Sequence, residues 1–336
     1  MTHELESILK AYQTNKNRGV QSVLATVVDL DGSSYRKPGV RMLIDEYQST
    51  NGAVSGGCVE KDIAFQALKV FESGQALIMT YDGRYRLGCE GILYILIEPL
   101  DLSIEQVSLV LKQIKERTPL KLESSYLREV DKYPHLGTKI LGENFEYTVH
   151  QNRVKKNNDL VFNQTLSPKF KLLIIGAEHD AVALSQMASQ LGWSVEIVAS
   201  PDEQKELSYF KGASELHLLS YGMIRQLQID DNTAIVIMSH SLQKDLQYLL
   251  ALENKFPVYF GLLGPRKRKE ELLNKLIELQ PEIQLDYLEQ LKGPAGLDLG
   301  AHSAHEIALA ILAEILSVSR QKDAITLSFK KGAIHD

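Results

Sequence analysis

The sequence predicts an α/β protein built from two domains, the first mixing sheet and helix and the second a parallel sheet with crossover helices. Three observations lead there. At 336 residues the chain exceeds one average domain and allows each of two domains a core of its own. From Lys171 onward, short β-branched runs alternate with segments of helical period, which is the pattern of parallel strands joined by helices. Between Gln151 and Lys169, Asn, Gln and Lys displace apolar residues, and Ser167-Pro168 closes the stretch. The expected division is a first domain over 1–150, a linker over 151–169, a second domain over 170–320 and a tail over 321–336.

Periodicity sets the elements. Leu5, Ile8, Leu9 and Tyr12 recur at helical spacing within 4–18, and residues 20–30 are apolar and β-branched enough for a buried strand. Asp31-Gly32-Ser33-Ser34 reads as a loop before a short strand over 40–44. Residues 54–57 then enter a helix whose apolar face is Val59, Ile63, Ala67, Val70 and Phe71. Strands are expected over 76–81 and 92–98, a helix over 104–116, and β-rich pieces near 121–129 and 145–149. In the second domain the pattern gives strands over 171–175, 194–198, 215–218, 234–238 and 258–260. Helices run up to residue 191, over 242–252 and over 304–316.

Composition narrows the setting. A hydrophobic fraction of 44% and a charged fraction of 24% are those of an ordinary globular chain, and no apolar run is long enough for a membrane span. Met1-Thr2-His3-Glu4-Leu5-Glu6 lacks the basic start and apolar stretch of a secretory signal, so the expectation is a cytoplasmic protein with reduced thiols and no structural disulfide. A net charge of −6 argues against general nucleic-acid binding, which needs a basic face to displace counterions. A small molecule or a protein is the better partner.

The turn after the first strand of the second domain, Ile175-Gly176-Ala177-Glu178-His179-Asp180-Ala181, resembles a Rossmann turn without its second glycine. Glu178 fills the space through which backbone reaches a pyrophosphate, and its charge sits at a helix N-terminus where the phosphate's own would go. The second strand ends Val198-Ala199-Ser200-Pro201, without the acid that holds a ribose hydroxyl, and Asp202 is expected to cap the next helix. A Rossmann-like domain that does not bind NAD(P) is therefore expected. The strand ends still carry polar groups. These are His179, Ser239-His240, and Arg266 in Gly264-Pro265-Arg266, which could hold an anion or belong to a solvated helix face with Lys267, Arg268 and Lys269.

Both cysteines are set in glycines, in Ser55-Gly56-Gly57-Cys58-Val59-Glu60 and in Leu87-Gly88-Cys89-Glu90-Gly91. Such settings let a ligand approach the backbone closely, although a cysteine among small residues also serves as a small buried hydrophobe. Neither has a histidine or second cysteine at zinc-motif spacing, and His302 with His305 reads as surface or cap.

Gly32-Ser33-Ser34-Tyr35-Arg36-Lys37-Pro38-Gly39-Val40-Arg41-Met42, the Cys58 motif and Ile97-Glu98-Pro99-Leu100 together resemble the N-terminal domain of the XdhC/CoxI family. The second half is similar to that family's Rossmann-like domain at 175–181, at Gly261-Leu262-Leu263-Gly264-Pro265-Arg266, and over 293–301 with His305-Glu306-Ile307-Ala308. The resemblance implies an accessory factor that binds the molybdenum cofactor, a molybdopterin, and assists its sulfuration and its insertion into a xanthine dehydrogenase-type hydroxylase. It implies a chaperone rather than an enzyme with its own turnover, with a cysteine desulfurase as a further partner; a homodimer is expected separately, because a protected cofactor benefits from a covered cleft.

On this reading Cys58, at a helix start that favours thiolate, is a molybdenum ligand or persulfide carrier, with Cys89 as a second such group. Arg36 and Arg41 take the cofactor's phosphate, Gly56 and Gly57 another anionic oxygen, and His179 with Arg266 complete the set. Arg41 has a duller alternative in pairing with Glu60 or Asp62. The alternatives for the whole chain are an NAD(P)-dependent oxidoreductase and a docking scaffold without cofactor. Departures from the family pattern are Glu178 for glycine, Ala199 for an acid and Glu90 for a glycine beside Cys89.

Overall fold

Both faces of the first long strand are buried, and this organises the N-terminal unit into layers. The computed structural model describes residues 1–32, 37–55, 57–85, 91–154 and 156–329, without the side chains of Cys58 and Tyr85. It divides into units Met1–Pro168 and Lys169–Asp336.

The first unit runs α1 (Thr2–Asn17), β1 (Ser22–Asp31), β2 (Arg41–Asp45), β3 (Thr50–Gly52), α2 (Cys58–Ser73), β4 (Leu77–Asp82), β5 (Ile92–Pro99) and α3 (Ile104–Lys115). It ends with β6 (Leu120–Tyr126), β7 (Gly137–Leu141), β8 (Glu146–Thr148) and β9 (Leu160–Leu166). Strands β3-β2-β1-β5-β4 form one antiparallel sheet and β8-β7-β6-β9 another. Side chains alternate along β1. Val23, Ala25 and Val27 pack under Val59, Ile63, Ala67 and Val70 of α2, while Leu24 joins Leu5, Ile8, Leu9 and Tyr12 of α1 and Val107, Val110 and Ile114 of α3. The four-stranded sheet covers the remainder of that second face through Leu120, Leu122 and Ile140. Each fully buried Leu, Ile or Val contributes roughly 1.5–3 kcal/mol, so both faces supply core.

The stretch expected to be a linker holds β9, which pairs with β6 from Leu120↔Leu166 to Tyr126↔Leu160. Its polar composition is that of an edge strand, where only Leu166 and part of Phe162 need a core. The units divide after Pro168. Strand β7 was not expected at all, because Gly137, Thr138 and Lys139 give it no apolar alternation.

The second unit comprises β10 (Lys171–Ile175), α4 (His179–Gln190), β11 (Ser194–Ala199), β12 (Glu215–Leu218), β13 (Thr233–Ile237), α5 (Leu242–Ala251) and β14 (Tyr259–Leu262). It continues with α6 (Arg266–Leu279), α7 (Leu285–Gln290), β15 (Leu291–Lys292) and α8 (Ala304–Ser319). All six strands are parallel, in the order β12-β11-β10-β13-β14-β15, which is the doubly wound dinucleotide-fold order. Leu172 and Ile174 face a core shared with α4 and α8, and Leu173 and Ile175 one shared with α5, α6 and α7. That two-sided burial explains the unbroken apolar runs. Asp202 does not cap a helix. The chain turns there, with the Asp202 carboxylate accepting a hydrogen bond from the Ser200 hydroxyl, and a short 3-10 turn over Leu207–Tyr209 follows. Among the described residues no helix is long and apolar enough to cross a membrane.

Candidate functional site

The register of the five-stranded sheet brings the anchors of the family-like segments to one end. Asp31, the last residue of β1, stands opposite Ile92, the first of β5, and Ile92 stands opposite Asp82, the last of β4. The segment carrying Arg36 leaves from the first of these strands, and the segment carrying Cys89 connects the other two. Arg36, Gly56 and Cys89 themselves lie outside the described residues. Helix α2 runs the length of the sheet, since its last turn (Val70, Phe71, Gly74) shares a pocket with Val23, Pro99 and Leu100 at the opposite end. Its first residue, Cys58, therefore lies toward the Asp31 end.

The start of α2 is held by backbone geometry and one carboxylate. Gly57, the N-cap, has φ +113°, a conformation that favours glycine. Glu60, in the first turn, reaches back to accept the Ser55 amide at 2.7 Å, the Val54 amide at 3.2 Å and the Ser55 hydroxyl at 3.0 Å. Burial pushes the Glu60 carboxyl upward, but these bonds outweigh it and hold the group below its usual range. Glu60 is thus engaged with its own loop rather than with Arg41.

Arg41 points the other way. Its register partner is Thr26, on the face of the sheet opposite α2, and it is only 4% exposed. Nη1 donates to Gly39 O at 2.7 Å and to Gln164 Oε1 of β9 at 2.6 Å, while Nε and Nη2 are buried without a hydrogen-bond partner among the described residues. Burial lowers its pKa to about 10, with the charges of Glu98 and Glu4 opposing. The structure thus separates the Arg41 guanidinium from the face on which α2 lies.

Glu98 occupies the same layer between the sheets, fully buried. It accepts the Thr138 amide at 2.9 Å and the Thr138 hydroxyl at 2.6 Å, and Thr138 also bonds Ser124 at 2.8 Å. Burial raises the Glu98 pKa, against the pull of His150, the Thr138 bonds and Arg153. A lone carboxylate inside an apolar run was the sequence signal for this network.

A second cluster at the Asp31 end escaped the sequence reading. The register of β1 against β5 slips between Val27 and Asp29, so that Asp29 stands opposite Tyr94. Asp29 Oδ2 accepts the Tyr126 hydroxyl at 2.9 Å and Arg128 Nε at 2.8 Å, and the Arg128 guanidinium lies 5.2 Å from the centre of the Tyr94 ring. Burial first, then the Asp29 bond and charge, push the Tyr126 pKa up to about 12.

In the second unit, His179 and Arg266 are the first residues of α4 and α6, at the C-terminal ends of β10 and β14. His179 is exposed, and Arg266 donates to Glu270 at 2.9 Å. Glu178 is the exposed N-cap of α4. At the switch point between β10 and β13, His240 Nε2 lies 3.1 Å from Asp180 Oδ2. Arg268, expected on a solvated face, instead binds the fully buried Asp245 through Nη2 at 2.5 Å and Nε at 3.1 Å. Asp245 also accepts the Ser239 hydroxyl.

Comparison with known proteins gives a consistent picture. Residues 16–82 match the XdhC and CoxI family, and residues 172–315 match the XdhC Rossmann domain. A Bacillus subtilis (strain 168) protein named as a probable xanthine dehydrogenase subunit is 28% identical over 320 residues, covering 90% of this chain and 94% of that one. The molybdenum cofactor insertion chaperone PaoD of Escherichia coli (strain K12) is 28% identical over 323 residues, covering 95% and 90%. A Bacillus halodurans crystal structure described as a xanthine dehydrogenase superposes with a TM-score of 0.76 at 25% identity, over 96% of this chain and 99% of that one.

Proposed function

Because the chain belongs to the XdhC and CoxI family, we propose that it is a maturation factor that binds the molybdenum cofactor and delivers it to a xanthine dehydrogenase-type hydroxylase. The observation that carries this reading is the similarity to an insertion chaperone along nearly the whole length of both chains. Convergence of the Arg36, Cys58 and Cys89 anchors on one sheet end supports it from the fold.

The cofactor is cargo in this scheme. Cys58 begins a helix, where the positive end of the dipole favours thiolate, and the thiolate serves as a soft ligand or as the acceptor of a desulfurase's terminal sulfur. Gly56, Gly57 and Arg36 are assigned to anionic oxygens of the cargo, and Cys89 to a second thiol of the same kind. Arg41 acts from behind, gripping Gly39 O and so fixing the turn that follows the Arg36 segment. His179 and Arg266 are assigned to the same cargo. The reading extends to a cytoplasmic homodimer without catalytic turnover.

The fit rests on chemistry present in the chain. A helix start stabilises negative charge, and the Gly57 cap, held in its turn by φ +113°, leaves backbone N–H groups at that start. To test it, full-length protein and Cys58→Ala are purified from a molybdenum-replete host. At least a tenfold loss of pterin and molybdenum, with an unchanged thermal midpoint, is expected; equal contents overturn the role of Cys58.

A further inference from the structure

We infer that Glu196, Glu215 and His217 form a binding site for a divalent transition metal of the zinc type, which clamps the edge strand β12 to the sheet of the second unit. The site lies wholly within that unit and is independent of the maturation reading.

Strand register brings the three side chains together. Glu196 of β11 stands opposite Glu215 of β12, and His217 follows Glu215 by two residues. Val195 and Ile197 belong to the core under α4 and α8, and Leu216 packs against it, so alternation turns Glu196, Glu215 and His217 to the other face. There one imidazole nitrogen and one oxygen of each carboxylate lie within 4.8 Å of one another. His217 Nε2 is 3.0 Å from Glu196 Oε2, and Nδ1 is 3.9 Å from Glu215 Oε1. Donors about 2.0–2.2 Å from one zinc ion stand roughly 3–4 Å apart, so a rotation of Glu215 closes the set. Its side chain is 62% exposed and turns without disturbing the core.

The surroundings call for a cation. Like charges side by side across a strand pair repel, and among the described residues Lys171, 3.3 Å from Glu196 Oε1, is the one lysine or arginine paired with either carboxylate. Lys171 is buried and fixed, donating to Gln228 O at 2.5 Å. It therefore holds the Glu196 oxygen that His217 does not, as the outer partner of a ligating carboxylate does. Glu215 is left with the imidazole alone. A divalent ion among the three side chains supplies the balancing charge and ties β12, a four-residue strand at the sheet edge, to β11. The donor set also selects the metal, because imidazole nitrogen suits zinc whereas magnesium and calcium take oxygen ligands.

The test titrates zinc ions alone into metal-stripped full-length protein by calorimetry, with magnesium ions as the control. One zinc per chain is expected, with a thermal midpoint raised by about 5 °C in excess zinc and unmoved by magnesium. His217→Gln and Glu215→Gln should each weaken zinc binding at least tenfold and abolish the rise. Glu215 is mostly exposed, so Glu215→Gln keeps the metal-free fold and its loss of zinc reports ligation. Cys58→Ala should bind zinc as the wild type does. A wild type that binds no zinc overturns the inference. So does zinc binding that survives both His217→Gln and Glu215→Gln, or that is lost in Cys58→Ala, since the metal then sits elsewhere.

Discussion

Thr26 and Arg41 stand directly opposite each other on β1 and β2, and each buries a polar group without a hydrogen-bond partner among the described residues. A buried hydroxyl left unsatisfied costs about 1–3 kcal/mol, whereas an apolar group of the same shape costs nothing comparable. Thr26→Val is therefore expected to stabilise the first unit by about 1 kcal/mol in urea unfolding. A loss of that size would show that the hydroxyl has an acceptor in solution.

Two glycines of the first unit are required for different reasons. At Gly57 a Cβ would meet nothing within 4 Å, so Gly57→Ala carries only the strain of φ +113°, about 1–2 kcal/mol. At Gly137 a Cβ would lie 2.8 Å from both Glu98 Oε2 and His150 Nε2, deep in the polar layer. Gly137→Ala should cost more, roughly 2–3 kcal/mol, because fixed buried groups must move. Denaturation midpoints of the two variants give the order directly.

Asp245 ties α5 to α6 and to the end of β13 through Arg268 and Ser239. It is fully buried, so Asp245→Ala strands the Arg268 charge and should cost about 3–5 kcal/mol. Calorimetry should show this loss in the unfolding of the second unit while the first is unaffected.

The pH dependence of the second unit is expected to follow His217 and Glu196. His217 Nε2 lies 3.0 Å from Glu196 Oε2, Lys171 Nζ lies 3.3 Å from Glu196 Oε1, and Glu215 is 3.9 Å from His217 Nδ1. The Glu196 bond raises the His217 pKa above 6.5 despite burial, so its contribution is full below that value and fades as pH rises through the raised one. Burial pushes Glu196 upward, yet His217 and Lys171 outweigh it and hold the carboxyl below 4.5, so its contribution is present above 4.5 and is lost as pH falls through the lowered value. The thermal midpoint should therefore decline on both sides of the range between them. His217→Gln should flatten the alkaline decline, and a profile unchanged by that substitution would contradict the assignment.

The fold was legible wherever burial imposed a period. The parallel strands of the second unit, buried on both faces, and α1, with its four-residue apolar stripe, fell within a few residues of expectation. Strands β7 and β9 were not, because their stability comes from pairing with β6 and from a polar layer in which Thr138, Ser124 and Gln164 face inward. The site was legible as motifs but not as geometry. Nothing in the order Val40-Arg41-Met42 tells which neighbour faces α2; the register with Thr26 and Ala25 does. The Asp29–Arg128 pair was invisible for a related reason: it forms at a bulge on β1, far away in sequence from Arg128.

If this chain carries the molybdenum cofactor and hands it on, the most direct measurement is transfer. Molybdenum and pterin would pass from the purified, loaded full-length protein to a cofactor-free xanthine dehydrogenase-type hydroxylase, read as metal and pterin recovered on each protein after separation. The predicted result is near-stoichiometric pterin on the donor before mixing and its appearance on the hydroxylase afterward. A donor that purifies without pterin from a molybdenum-replete host, or one whose pterin never moves, would contradict the account.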